Sequence, residues 1–226
     1  CIYNYIISHT KIKNMKYVVT GSLGHISKPL SQKLLHAGHE VTIISSKEGN
    51  RSAIEKMGAK AAIGSVEDVA FLSRAFAGAD AVYTMVPPNF AATAWKEWIG
   101  KIGKNYAEAI KANQIKYVVN LSSVGAHLPD GCGPVSGLYK VEQALNTLND
   151  VNIKHLRPTY FFDNLLANVA LAKQMDIIGS NFGGAGQKMV LADTSDITDV
   201  AFEELSTLQF SGHSVRYIAS DERTSD

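Results

Sequence analysis

The sequence predicts an α/β fold: a doubly wound, mostly parallel sheet with helices on both faces and a reduced C-terminal substrate region. Three observations lead there. Short apolar runs rich in β-branched residues alternate with helical patterns along most of the chain. A glycine-containing turn joins the first of these runs to the first helix. The 226 residues, 46% apolar and 19% charged, suffice for one full hydrophobic core.

Lys16–Thr20 (KYVVT) is a short apolar run that ends at Gly21 and reads as a buried strand. Ile26, Leu30, Leu34 and Ala37 recur at helical spacing, and Gly38 closes that helix. Pro29 lies early enough in it to distort rather than break it. Glu40–Ser45 (EVTIIS) is the second strand, a short helix surrounds Ser52–Met57, and Lys60–Ile63 is a weak third strand. Ser65-Val-Glu-Asp68 reads as a capping box ahead of Val69, Leu72 and Phe76. Ala79–Met85 is the fourth strand, ended by Pro87-Pro88. The next helix carries Trp95, Ile99, Ile102, Tyr106 and Ala109 on one face. Gly100 and Gly103 weaken it by about 1 kcal/mol each relative to alanine.

Lys116–Leu121 is the fifth strand, and the Gly- and Pro-containing segment Gly125–Gly137 is a loop. Leu138, Val141, Leu145 and Leu148 mark a further helix, and Val151–Leu156 is the sixth strand. Past Pro158 the alternation becomes irregular: a turn at Asn181–Gly186, a helix over Ile197–Leu208 and a last strand at Ser214–Ala219. Residues 1–14 read as an extension, 15–157 as the main body, and 158–226 as a partial substrate-side region completing the same domain.

Composition excludes several classes. Lys and Arg number 22 against 21 Asp and Glu, so no net charge draws the chain to nucleic acid or anionic lipid. No apolar run approaches the ~18–20 residues of a membrane span. Cys1 and Cys132 cannot build a disulfide framework or a metal knuckle, and the seven histidines lack HxxxH spacing, so no metal site is expected. The first 14 residues have neither a basic start nor a cleavage site. A reducing, cytoplasmic location is the expectation.

A doubly wound sheet binds ligands at the carboxyl ends of its strands, here at the switch point between strands one and four. That places Gly21–Ile26, Ser45–Arg51, Met85–Asn89 and Ser122–Ala126 around one crevice. In Thr20-Gly21-Ser22-Leu23-Gly24-His25-Ile26-Ser27, Gly21 permits a tight turn and Gly24 a close approach of backbone to pyrophosphate. Ser27 replaces the third glycine of the usual fingerprint and is still small. The topology is thus Rossmann-like, and a dinucleotide is the expected cofactor. The second strand ends Ser45-Ser46-Lys47, with Arg51 four residues on and no carboxylate at the strand end. Hydroxyls and cations suit a 2′-phosphate and predict NADPH, although Glu48 dilutes the positive field.

The pieces TGSLGHIS, GADAVY at Gly78–Tyr83, MVPPN at Met85–Asn89, LSSVGAH at Leu121–His127, VEQALN at Val141–Asn146 and LRPTYFFDNLL at Leu156–Leu166 occur in this order. Together they resemble the NmrA-like family of atypical short-chain dehydrogenases/reductases, which includes NAD(P)H-dependent quinone and azo-dye reductases. The likeness runs from about Met15 to Ala219. It implies NADP(H), with NAD(H) as the alternative, bound on the turn by Gly21, Ser22, Gly24, His25 and Ile26. It implies Ser45, Lys47 and Arg51 near the 2′-phosphate, and Met85, Val86 and Pro87 along the adenine-side ribose and crevice floor. It places Ser122, Ser123 and Val124 below the nicotinamide, with Pro158, Thr159 and Tyr160 beside its carboxamide. Asp68 matches a position that approaches adenine, and a capping role fits it equally.

One departure bears on mechanism. Short-chain dehydrogenases of the standard type use Tyr-x-x-x-Lys, the Lys four residues before a Glu. Counting back from Glu142 puts Leu138 and Pro134 at those positions, and neither can carry the chemistry. Tyr139, Lys140, His127 and Tyr160 remain as groups that could stabilise or protonate a product oxyanion. The expected function is NADPH-dependent hydride transfer to a quinone or similar small conjugated acceptor. The alternative is a non-catalytic NAD(P)-binding redox sensor that acts through a protein partner. Trp95, Trp98 and Tyr106 fit core packing or a homodimer contact, and Phe161-Phe162 fit the core or an apolar substrate wall. Asp193, Asp196 and Asp199 read as first-turn acids after an N-cap at Thr194 or Ser195.

Overall fold

The computed structural model describes residues 14–177 and 186–224, which contain ten strands. The strands are β1 (Lys16–Val19), β2 (Glu40–Ser45), β3 (Lys60–Ile63), β4 (Ala81–Thr84), β5 (Tyr117–Leu121), β6 (Asn152–Pro158), β7 (Tyr160–Phe161), β8 (Lys188–Ala192), β9 (His213–Ile218) and β10 (Asp221–Thr224). The α-helices are α1 (Ser27–His36), α2 (Arg51–Lys56), α3 (Val69–Phe76), α4 (Trp95–Ala112), α5 (Val135–Leu145), α6 (Asn168–Met175) and α7 (Thr194–Thr207).

Seven strands form one sheet in the order β3-β2-β1-β4-β5-β6-β9, and every pair is parallel. The predicted fold class is the one found. Chain direction across the sheet reverses beside β1, which lies between β2 and β4, so the crevice opens at the carboxyl ends of β1 and β4. Parallel strands must be covered on both faces, and both carry a dry core. On one face Val19, Ile43 and Tyr83 pack with Leu30 and Leu34 of α1 and Ile197 and Leu205 of α7. On the other, Val18, Val82, Val118 and Ile153 pack with Phe76 of α3, Tyr106 of α4 and Val141 of α5.

The predicted helix ends shift where a carboxylate takes the capping role. Asp68, not Ser65, caps α3: its side chain accepts from the Phe71 amide at 3.0 Å, while Ser65 Oγ accepts from Glu67 N. Asp193, not Thr194 or Ser195, caps α7 by accepting from Ser195 N at 2.7 Å, so that helix starts at Thr194 rather than Ile197. Gly100 and Gly103 have a packing role that propensity hides. A Cβ on Gly103 would lie 2.6 Å from Val141 Cα, and one on Gly100 would lie 2.9 Å from Lys140 Cδ. Gly137 of α5 faces Ile99 in the same way, its Cβ 2.8 Å from that of Ile99. The three glycines let α4 and α5 meet backbone to backbone.

Beyond Pro158 the chain builds a second, three-stranded sheet, β10-β8-β7, that the pattern did not predict. The residues of the predicted extension up to 13, and the predicted turn except for Gly186, lie outside the described residues. Trp95 is half exposed, whereas Tyr106 is fully buried.

Candidate functional site

The turn between β1 and α1 is shaped by residues with little or no side chain. Gly21 has φ +92°, and a Cβ there would run into Ser27 Oγ and come within 3.0 Å of Met85 Cγ. Ser22 also takes a left-handed conformation, φ +57°. A Cβ on Gly24 would lie 3.1 Å from the Gly21 carbonyl. The turn is pinned by Ser22 N donating to the Ile44 carbonyl (3.1 Å) and Gly24 N to the Gly21 carbonyl (3.2 Å). The amides of Leu23, His25 and Ile26 donate to no acceptor among the described residues. Ile26, the N-cap of α1, supplies no capping oxygen. Free amides at a helix start are an anion site waiting for an acceptor.

Next to this turn lies the end of β2. Ser22 Oγ donates to Ser45 Oγ at 2.9 Å. Asn50, which sequence reasoning passed over, donates from Nδ2 to both hydroxyls, at 2.9 and 3.1 Å. Lys47 N donates to Ser45 Oγ as well (3.2 Å). Ser22, Ser45 and Lys47 are therefore brought together. Arg51 is held elsewhere: its Nε and Nη2 donate to the two Glu48 carboxylate oxygens at 2.5 and 3.1 Å, and Nη1 lies 3.8 Å from Glu55. The ion pair holds the Glu48 carboxyl below its usual range.

The floor at β4 is tied to the turn. Met85 N donates to Thr20 Oγ1 (2.8 Å), and the buried Tyr106 hydroxyl donates to the Met85 carbonyl (2.7 Å). Val86 and Pro87 continue this half-buried strand end. On the far side, His25 Nδ1 meets Asp163 Oδ2 at 2.6 Å, which joins the turn to the segment after β7. Val124 N donates to the Pro158 carbonyl (2.9 Å), and the Val124 side chain is exposed at the carboxyl ends of β5 and β6. The Thr159 hydroxyl is buried without a partner among the described residues.

The β5–β6 half is built differently. Glu142 of α5 and Asn146, the residue that caps its C-terminus, each close a polar layer over the sheet. In the first, Ser122 Oγ donates to Glu142 Oε1 (2.5 Å), and Arg157 Nε and Nη2 donate to the two Glu142 oxygens at 3.0 and 2.5 Å. Arg157 Nη1 donates on to Tyr217 Oη (3.0 Å). The Glu142 carboxylate raises the already high Arg157 pKa further. In the second layer, Thr84 Oγ1 donates to Asn120 Oδ1 (3.0 Å), and Asn120 Nδ2 donates to His155 Nδ1 (3.1 Å). That fixes the proton of His155 on Nε2, which donates to Asn146 Oδ1 (3.0 Å). Burial pushes His155 down to about 4, so the imidazole is neutral.

Of the sequence-predicted acid and base candidates, Tyr139 and His127 share one cavity and Lys140 does not line it. Lys140 pairs with Glu97 of α4 at 3.0 Å. Tyr139 and His127 line a cavity of about 220 Å³ beside His155, Arg157 and His213, on the β9 side of α5. Ser122 is engaged by Glu142, and Ser123 Oγ donates to the Val124 carbonyl (3.1 Å). A larger cavity, about 560 Å³, is lined by Lys111, Gln114, Lys116 and Asp150 at the amino end of the sheet, remote from the crevice. No group of three or more potential metal ligands occurs among the described residues. No helix among them is long and apolar enough to cross a membrane.

Residues 21–156, more than half of the chain, match a family described as NAD(P)H-binding. The chain belongs to this NAD(P)H-binding family. Its fold recurs in triphenylmethane reductase from Citrobacter sp., solved with NADP(H), at 16% identity and TM-score 0.78 over 92% of this chain and 72% of that one. It recurs in the NADPH-dependent quinone oxidoreductase QOR2 of Escherichia coli, solved with NADPH, at 19% identity and TM-score 0.78 over 92% and 71%. A short-chain dehydrogenase/reductase superfamily protein of Agrobacterium tumefaciens, solved with NAD, follows at 17% identity and TM-score 0.73 over 92% and 79%. No curated protein matches the chain by sequence. Both the topology and the matched span agree with the atypical short-chain dehydrogenase resemblance drawn from the motifs.

The NAD(P)H-binding chain has a site that fits its cofactor. At Gly21 and Gly24 a Cβ would crowd the turn's own neighbours, Ser27, Met85 and the Gly21 carbonyl, so the turn keeps its shape only with glycine there, and the amides of Leu23, His25 and Ile26 donate to no acceptor among the described residues. The orphaned Thr159 hydroxyl at the end of β6 offers a further hydrogen bond beyond the turn.

Proposed function

We propose that the protein is an NAD(P)H-dependent oxidoreductase that reduces a quinone or a similar small conjugated acceptor. The observation that carries the reading is the β1–α1 turn, with its glycine-dependent shape and unpaired amides. The shared fold of a quinone oxidoreductase and a dye reductase supports the choice of acceptor class.

When bound, the dinucleotide supplies a hydride; the remaining work belongs to this chain. Gly21, Ser22, Gly24, His25 and Ile26 hold the diphosphate, and Ser45 and Lys47 hold the adenosine ribose. Met85, Val86 and Pro87 form the floor, fixed by the Thr20 and Tyr106 hydrogen bonds. Ser123, Val124, Pro158, Thr159 and Tyr160 surround the nicotinamide end. The exposed Val124 gives that end an apolar lip suited to a flat acceptor. Reduction of a quinone leaves an oxyanion that solvent can protonate, so a Tyr-Lys couple is not required.

The test is NADPH oxidation by the purified protein with a panel of quinones and triphenylmethane dyes, beside Gly21→Val. Turnover with at least one acceptor is expected, and the variant should bind NADPH at least about tenfold more weakly, because its side chain strains the left-handed turn and collides with Ser27 and Met85. Saturable binding without turnover on any acceptor would overturn the reductase reading. Absence of binding would overturn the site itself.

A further inference from the structure

The ribose end of the crevice holds two basic side chains, Lys47 and Arg51, and one of them is already paired. The hydroxyls of Ser22 and Ser45 and the carboxamide of Asn50 form one cluster, and Lys47 donates its amide into it. Lys47 makes no ion pair among the described residues. Arg51 is occupied. Glu48 takes the Nε–Nη2 edge of its guanidinium, the two-pronged edge that a phosphate would take, and Glu55 stands off Nη1. Lys47, Glu48, Arg51 and Glu55 together carry no net charge. A 2′-phosphate dianion arriving here meets one available cation and a carboxylate already seated on the other. A ribose with a free 2′-hydroxyl meets no such opposition, because Asn50 Oδ1 accepts no hydrogen bond among the described residues.

We propose that Glu48 is a specificity-determining residue: by occupying Arg51 it suppresses recognition of the 2′-phosphate, so that the chain accepts NADPH and NADH with little discrimination. The proposal rests on the dinucleotide site described above. It adds the masking of Arg51, which the row of basic residues in the sequence does not reveal. Glu48 and Arg51 are both exposed, so replacing either leaves the core untouched.

The experiment measures dissociation constants for NADPH and NADH by fluorescence titration with the wild type, Glu48→Gln, Arg51→Ala and the double variant, with circular dichroism as the check on folding. Wild-type affinities for the two nucleotides should differ by less than about tenfold. Glu48→Gln should tighten NADPH by roughly three- to tenfold and leave NADH within about twofold, because a released guanidinium gains a charge-assisted fork to phosphate. The double variant should lose that gain, and Arg51→Ala alone should change little. A wild type that prefers NADPH more than about a hundredfold, with the preference removed by Arg51→Ala, overturns the proposal. So does a Glu48→Gln variant that shifts both nucleotides equally or neither. Failure of the wild type to bind either nucleotide is a different result: it removes the site, and the Glu48 proposal with it.

Discussion

At the β1–β2 corner the backbone offers hydrogen bonds that the protein itself does not take up: the amides of Leu23, His25 and Ile26 lack acceptors among the described residues. At the β5–β6 corner the reverse holds. Ser122, Asn120, His155, Glu142 and Arg157 are polar, buried and bonded to one another across two layers. Both corners lie at the carboxyl end of one sheet and both are rich in groups that could do chemistry. What separates them is saturation. A polar group whose bonds are already satisfied stabilises the fold, and a ligand must break something to reach it. The unsatisfied corner is the one where a ligand could bind without breaking a bond of the protein.

The comparison breaks most visibly at Glu142. Removing its carboxylate strands the Arg157 guanidinium, itself 9% exposed, without a counter-charge. Glu142→Ala should cost about 3–5 kcal/mol of stability, read by urea or thermal unfolding. A variant that unfolds like the wild type would show that the layers are not structural.

A smaller loss should follow acidification. His155 is buried neutral, with its pKa lowered by burial to about 4 from an ordinary 6.5. Between those values the unfolded chain binds the proton and the folded chain does not, so stability rises with pH through that window. The contribution is fully present above pH 6.5 and is lost as pH falls toward 4, up to about 3 kcal/mol. Unfolding curves collected across this range should flatten in His155→Gln; an unchanged slope would assign the acid sensitivity elsewhere.

The smallest effect sharpens the contrast from the other side. Lys140 sits in an exposed pair with Glu97 and touches neither polar layer. Lys140→Met should change stability by less than about 1 kcal/mol and leave NADPH oxidation rates within about twofold. A rate drop beyond tenfold would bring Lys140 into the reaction after all.

Much of the β1–β4 half was readable in sequence, because its signals are local. Thr20–Ser27 carries strand, turn and helix start within eight residues, and the apolar runs of β1, β2 and β4 mark a sheet covered on both sides. The β5–β6 layers were not readable. Asn120 and His155 are 35 residues apart and meet through strand register, and Glu142 reaches Arg157 through the placement of α5 over that register. The pairing of Arg51 was not readable either: its position beside the ribose strand suggests a phosphate ligand, and the structure adds a bond to Glu48, three residues earlier. Asn50 gave no signal, since one asparagine in a polar loop is ordinary. The caps at Asp68 and Asp193 show the limit at the finest scale, where several neighbouring polar residues can cap and backbone geometry selects one.

The glycine seam between α4 and α5 has a bearing on how this chain can change. At Gly103 and Gly137 the neighbour is a Val141 backbone carbon or the branched root of Ile99, not the tip of a pliable side chain. Neither obstacle can be relieved by swinging a rotamer. A mutation there is accommodated by translating a whole helix, and α5 cannot slide without dragging Glu142 and Asn146 off their partners. Substitution is therefore tolerated most readily on the outward faces of these two helices.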